Sequence, residues 1–170
     1  MGYKKTARKS YDTRRPSRLP RKAAPKGSDS SQQHLPARKS REMWLRDLEY
    51  TVNNAKRLRD AGFYDVATLY IHLAVEKALK AAVAAFTEEE PPKDHNLVRL
   101  HSKVSGKIAL TDDEVRLLRR LTSAAYGTRY LDVSLRLPSE IYTKTVADEY
   151  LQKALPIIER VKARIEAEEK

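Results

Sequence analysis

The chain has no cysteine, which excludes a disulfide framework and a thiolate metal site and leaves the redox compartment unread. Glycine is scarce, five in 170 residues, and none is spaced to build a phosphate-cradling loop. No apolar run reaches the ~18 uncharged residues of a membrane-spanning helix. The basic N-terminus lacks the apolar stretch of a secretory signal, so a cytoplasmic protein is expected. No alternating strand pattern and no internal repeat appears. What is left is an all-α chain with one domain's worth of residues.

Charge divides that chain in two. Residues 1–41 carry 13 Lys/Arg against 2 Asp, whereas residues 42–170 carry 21 against 21. The whole net charge of +11 therefore sits on a basic arm, and the domain that follows is neutral.

The arm holds four prolines and no apolar periodicity. Such a segment buries too little apolar surface to offset chain entropy, so it is expected to be disordered unless bound. Its cations are Lys4, Lys5, Arg8, Lys9, Arg14, Arg15, Arg18, Arg21, Lys22, Lys26, Arg38, Lys39 and Arg41. Spaced cations neutralise phosphates and release counterions, and the interleaved Tyr3 and Tyr11 suit stacking on unpaired bases. RNA is favoured over DNA because nothing in the arm resembles a helix built for a major groove. A solvated tail is the plainer alternative, and no membrane partner is expected. In composition the arm resembles the extensions by which ribosomal proteins thread into ribosomal RNA.

From Ser40 the periodicity becomes helical. The spacing of Trp44, Leu45, Leu48, Val52, Ala55 and Leu58 predicts a helix from about Ser40 to Ala61, with Ser40 as N-cap and Gly62 just past the end. Phe63 to Phe86 is apolar on nearly every face, as a helix at the centre of a bundle would be. Its few polar residues, His72, Glu76, Lys77 and Lys80, stand out for that reason. Pro91-Pro92 ends it, and Asp94 is placed to cap a short helix from His95 to Val104. Thr111 and Glu114 have the spacing of a capping box opening a fourth helix that runs to about Tyr126. Residues 127–141 read as a loop. A last helix begins near Thr143 or Thr145, carries Pro156 as an expected kink, and frays in its acidic end.

These elements fall in a recognisable order. Ala74-Val-Glu-Lys-Ala-Leu-Lys80 is followed by an acidic loop with prolines, by His95-Asn-Leu97-x-x-Leu100, and by a helix ending in Tyr126-Gly-Thr-Arg129-Tyr130-Leu-Asp132. Over about residues 42–165 the chain resembles the HEPN domain. The resemblance implies an up-and-down helical bundle of about five helices that commonly forms a homodimer. It also implies one of two branches. One holds metal-independent ribonucleases with an Arg-x(4–6)-His motif; the other lacks the motif and accompanies a minimal nucleotidyltransferase, as in toxin–antitoxin pairs, or binds nucleotide or RNA. None of the four histidines, His34, His72, His95 and His101, has an arginine at that spacing. The matching region offers Arg119 or Arg120 followed by Tyr126, and a phenol with pKa near ~10 is a poor proton shuttle. The expectation is a non-catalytic protein without cofactor or metal, docked on ribosomal RNA, with ribosomal proteins as further candidate partners.

Two readings stand for the polar residues of the domain. Glu76 and Lys80, one turn apart, form an internal ion pair; alternatively Glu76, Lys80, Arg129, Tyr130 and Asp132 line an anion or nucleotide pocket. His95 is read as a helix-start residue bonding nearby backbone. A metal held by His72 and Glu76 has little support from a lone His-x-x-x-Glu pair.

Overall fold

A computed structural model of the chain describes residues 37–87, 89–129 and 136–168, with side chains from Lys39 onward. The described residues form six helices and no strand: α1 (Ala37–Asp60), α2 (Tyr64–Phe86), α3 (Leu97–Ser102), α4 (Asp112–Gly127), α5 (Pro138–Ile141) and α6 (Lys144–Glu168). The arm cations from Lys4 to Arg38, together with Tyr130 and Asp132, lie outside the described side chains.

α2 is the centre of the bundle. It packs against α1, α3, α4, α5 and α6, and Ala67, Val75, Leu79, Ala82 and Val83 are fully buried. Alanine at so many of its positions lets the neighbouring helices approach closely. Leu48 of α1, Leu97 and Leu100 of α3, Leu118 and Leu121 of α4, and Ile157 and Val161 of α6 close around it.

The turn between α1 and α2 follows from Gly62. Its φ of +86° lies in the left-handed region that a Cβ disfavours. The Phe63 amide donates to the Leu58 carbonyl (2.9 Å) and the Gly62 amide to that of Arg59 (3.1 Å). These are the two bonds of a Schellman ending, and they turn α2 back antiparallel to α1. The capping box at α4 is also present: Thr111 Oγ1 accepts from the Glu114 amide (3.3 Å) and the Thr111 amide donates to Glu114 (2.8 Å).

Several expectations need correction. α1 begins at Ala37, so Lys39, Ser40 and Arg41 belong to the bundle's first helix rather than to an extended arm. Ser40 is an interior helical residue only 8% exposed, and caps nothing. α3 is capped by Asn96, whose side chain accepts from the Arg99 amide. Asp94 accepts from Nε and Nη2 of the Arg99 guanidinium, at 2.6 and 2.8 Å, and from the Asn96 amide at 2.9 Å, so it braces the turn that leads into α3. Within the expected 127–141 loop, residues 138–141 form the turn α5, opened by a proline at a position suited to it. α6 runs on to Glu168, which pairs with Lys107 (3.0 Å) and Arg164 (3.3 Å). Pro156 lies inside α6; it and Gln152, whose carbonyl loses its amide partner, are both exposed, so water can take that carbonyl.

Candidate functional site

His72, Glu76 and Lys80 recur every four residues on one face of α2 and are all buried, at 2%, 5% and 6% exposure. A carboxylate so enclosed must be paired. Glu76 Oε1 accepts from Lys80 Nζ at 2.8 Å, and His72 Nε2 stands 3.3 Å from Oε2. His95, from the connection before α3, brings Nδ1 to 3.0 and 3.1 Å from the two oxygens. The Lys80 ammonium also lies 5.0 Å from the centre of the Trp44 ring of α1, within cation–π range. Two elements thus converge on the carboxylate, and α1 joins the cluster through Lys80.

Burial alone would raise the Glu76 pKa. The hydrogen bonds from His72, Lys80 and His95, with the Lys80 charge, outweigh it and bring the group to about 2. An ionised carboxylate only accepts, so the proton that faces it from His72 sits on Nε2. His72 Nδ1, on the far side of the ring, is buried and has no hydrogen-bond partner. A carboxylate this acidic is a poor general base, and no group of His, Asp or Glu among the described residues is arranged to hold a metal ion. The cluster's evident work is to clamp α1, α2 and the approach to α3 together.

The pairing of Glu76 with Lys80 is as the spacing suggests. Of the wider pocket expected with them, Tyr130 and Asp132 lie outside the described residues. Arg129 donates from Nε to the Ala125 carbonyl (2.7 Å) and lies over the Tyr126 ring at 5.7 Å; no hydrogen bond or ion pair among the described residues joins it to Glu76 or Lys80. His95 departs from its expected role, since its ring meets a side chain of α2 rather than local backbone. Trp44 and His95 were the members of the cluster that sequence reasoning missed. The available signal was that a glutamate in so apolar a helix needs more donors than one lysine supplies.

Elsewhere, α4 and α6 flank a groove of about 470 Å³ lined by Asp113, Glu114, Arg116, Leu117, Arg120, Lys153 and Pro156. Its cations are paired: Arg116 with Asp113, and Arg120 and Lys153 both with Glu149, at 3.0 and 2.9 Å. Arg120 also lies 5.0 Å from the Tyr150 ring centre. Tyr126, 56% exposed, stands on this helix six residues after Arg120. Of the arm cations, Lys39 is exposed and Arg41 half-buried in α1.

Compared with protein-family models, the chain matches the HEPN domain over residues 41–164. Among solved structures it is similar to TT1696 from Thermus thermophilus, at 22% identity and a TM-score of 0.65, with 73% of this chain and 97% of that one covered. It is also similar to ST0689, an archaeal HEPN homologue, at 24% identity and a TM-score of 0.57, covering 74% of this chain and 97% of that one. At these identities the likeness is one of fold. A search of curated proteins finds no match.

Proposed function

Because this chain belongs to the HEPN domain family, we propose that it is a non-catalytic member that docks on RNA, ribosomal RNA above all, through its basic arm. The charge distribution carries this reading: 13 Lys/Arg against 2 Asp in residues 1–41, and an even balance over the rest of the chain. Charge so concentrated fits a phosphate backbone. Two observations favour a docking role over cleavage. No histidine follows Arg119 or Arg120 at ribonuclease spacing, and the Arg120 guanidinium is held by Glu149 rather than open to a phosphate. The neutral bundle contributes protein or groove contacts while the arm engages RNA.

Co-sedimentation with ribosomes across a salt series tests the reading. The full chain is expected to travel with ribosomes at low salt, and a chain lacking residues 1–36 to stay at the top of the gradient. A full chain that stays at the top even at low salt would overturn RNA docking and favour a nucleotidyltransferase partner. RNA cleavage that survives a chelator and is lost in Arg120→Ala would overturn the non-catalytic assignment.

A further inference from the structure

Four arginines lie along α3 and α4, and the fold supplies a carboxylate to three of them: Asp94 to Arg99, Asp113 to Arg116 and Glu149 to Arg120. Arg119 is the exception. Its side chain is exposed, and no ion pair or hydrogen bond joins it to another described residue. It stands on the ridge of α4 between two cavities. On one flank about 400 Å³ opens where α4 meets α5 and α6, among Ala124, Ile141, Tyr142, Val146 and Tyr150. On the other about 330 Å³ opens where α4 meets α3, among Asn96, Arg99, Thr122 and Ser123. Arg119 lines both. The first cavity is largely apolar, and its Ile141 and Val146 are only half-buried. The second is polar. Asn96 spends its side-chain oxygen on the Arg99 amide (3.1 Å) and keeps its NH₂ as a donor.

We propose that this saddle docks an extended acidic segment of a partner protein: an Asp or Glu of the segment pairs with Arg119, and a large apolar side chain two residues away fills the cavity against α5 and α6. A guanidinium offers a planar fork that a carboxylate matches with two hydrogen bonds. In an extended chain, side chains two residues apart share a face at about 6.6–7 Å, a step suited to reach from the ridge of α4 into the flanking cavity. The Asn96 NH₂ and the Ser123 hydroxyl, on the polar side, are donors for the segment's main-chain carbonyls. A phosphate backbone fits this place less well. It repeats its charge at every nucleotide and calls for several free cations, whereas the arginines beside Arg119 are already neutralised. One free cation next to an apolar cavity matches one carboxylate next to an apolar side chain. This inference rests on the docking reading only in assigning protein contacts to the bundle; RNA binding by the arm plays no part in it.

The test is a titration of the isotope-labelled full chain, followed residue by residue in NMR spectra, with a capped peptide that carries Phe two residues before Glu in a Gly-Ser background. Site-by-site reading matters because an acidic peptide also meets the basic arm. The resonances of Arg119, Ser123, Ala124 and Val146 are expected to move together and to saturate with a Kd of about 1 mM or tighter. Replacing the peptide's Glu by Gln, or its Phe by Ala, should each weaken binding at these residues by about tenfold. Arg119→Glu reverses an exposed side chain without a partner, so helical circular dichroism should be retained while binding of the Glu peptide is lost. A peptide with Lys in place of Glu should then bind Arg119→Glu in its stead. No movement of these four resonances at several millimolar peptide would overturn the proposal, as would equal binding of the Glu and Gln peptides. If hexauridylate moves them and the peptide does not, the saddle is an RNA surface and the proposal is equally overturned. The peptide titration contains no RNA, so its failure leaves docking by the arm untouched, and the reverse holds.

Discussion

His95 Nδ1 stands nearly equidistant from the two carboxylate oxygens of Glu76, at 3.0 and 3.1 Å. An exposed ring on a connecting segment is thereby tied to a carboxylate at the centre of the bundle. That one bond links the chain's most apolar helix to the segment that leads into α3.

The Glu76 carboxyl is predicted to make acid stability steep. Its pKa is about 2 in the folded chain against an ordinary value of 4.5, so the unfolded chain binds the proton more readily. The contribution, on the order of 3 kcal/mol, is complete above about pH 4.5 and is lost as pH falls toward about 2. Urea unfolding from pH 7 down to pH 2 measures it. In Glu76→Gln this part of the pH dependence should vanish.

The same substitution leaves the Lys80 ammonium buried without its carboxylate. A loss of about 3–5 kcal/mol is expected, as when one partner of a buried pair is removed. Adding Lys80→Met should recover part of that loss, because no buried charge is then left unpaired. His95→Ala, which removes an exposed ring, should cost less than Glu76→Gln. Equal losses for all three would contradict the clamp.

Gly127, the last residue of α4, lies directly beneath the Tyr142 hydroxyl, and a Cβ there would collide with that oxygen. Gly127→Ala is expected to destabilise by about 1–3 kcal/mol, the cost of overpacking. In a Tyr142→Phe background the penalty should shrink, since the next ring atoms lie at ordinary contact distances of 3.4 and 3.6 Å. A double-mutant cycle in urea reads the difference directly.

Gly62 tests backbone rather than side-chain strain. At φ +86°, Gly62→Ala should cost about 1–2 kcal/mol, and Gly62→Asn less, because asparagine tolerates the left-handed region better. Thermal unfolding of the two variants should rank them in that order.

Local chemistry was the legible part of this fold. The apolar run of α2, the glycine that ends α1 and the Thr111–Glu114 box each act through neighbours a few residues away, and the sequence carries them. Competition was harder to read. Ser40 and Asp94 both have capping side chains, but α1 extends back to Ala37, and Asp94 braces the turn before α3 while Asn96, two residues on, takes the cap. The polar cluster was half legible. Glu76 and Lys80 are neighbours on one helix, whereas His95 and Trp44 reach the cluster only through the way α1 and the α2–α3 connection close over α2. Arg129, just past α4, has a carbonyl and a ring of that helix's last turn beside it, and it engages those.

The central claim is that the arm, not the bundle, holds RNA, and the salt dependence of binding tests it most directly. A single-stranded RNA titrated at several salt concentrations gives a slope of about −0.7 in log K against log salt per phosphate neutralised. With ~6–10 phosphates engaged, binding should weaken by roughly 10³–10⁵ between 50 and 200 mM salt, and removing residues 1–36 should abolish most of both affinity and slope. Equal affinity and slope with and without those residues would contradict the account, because the contacts would then belong to the neutral bundle.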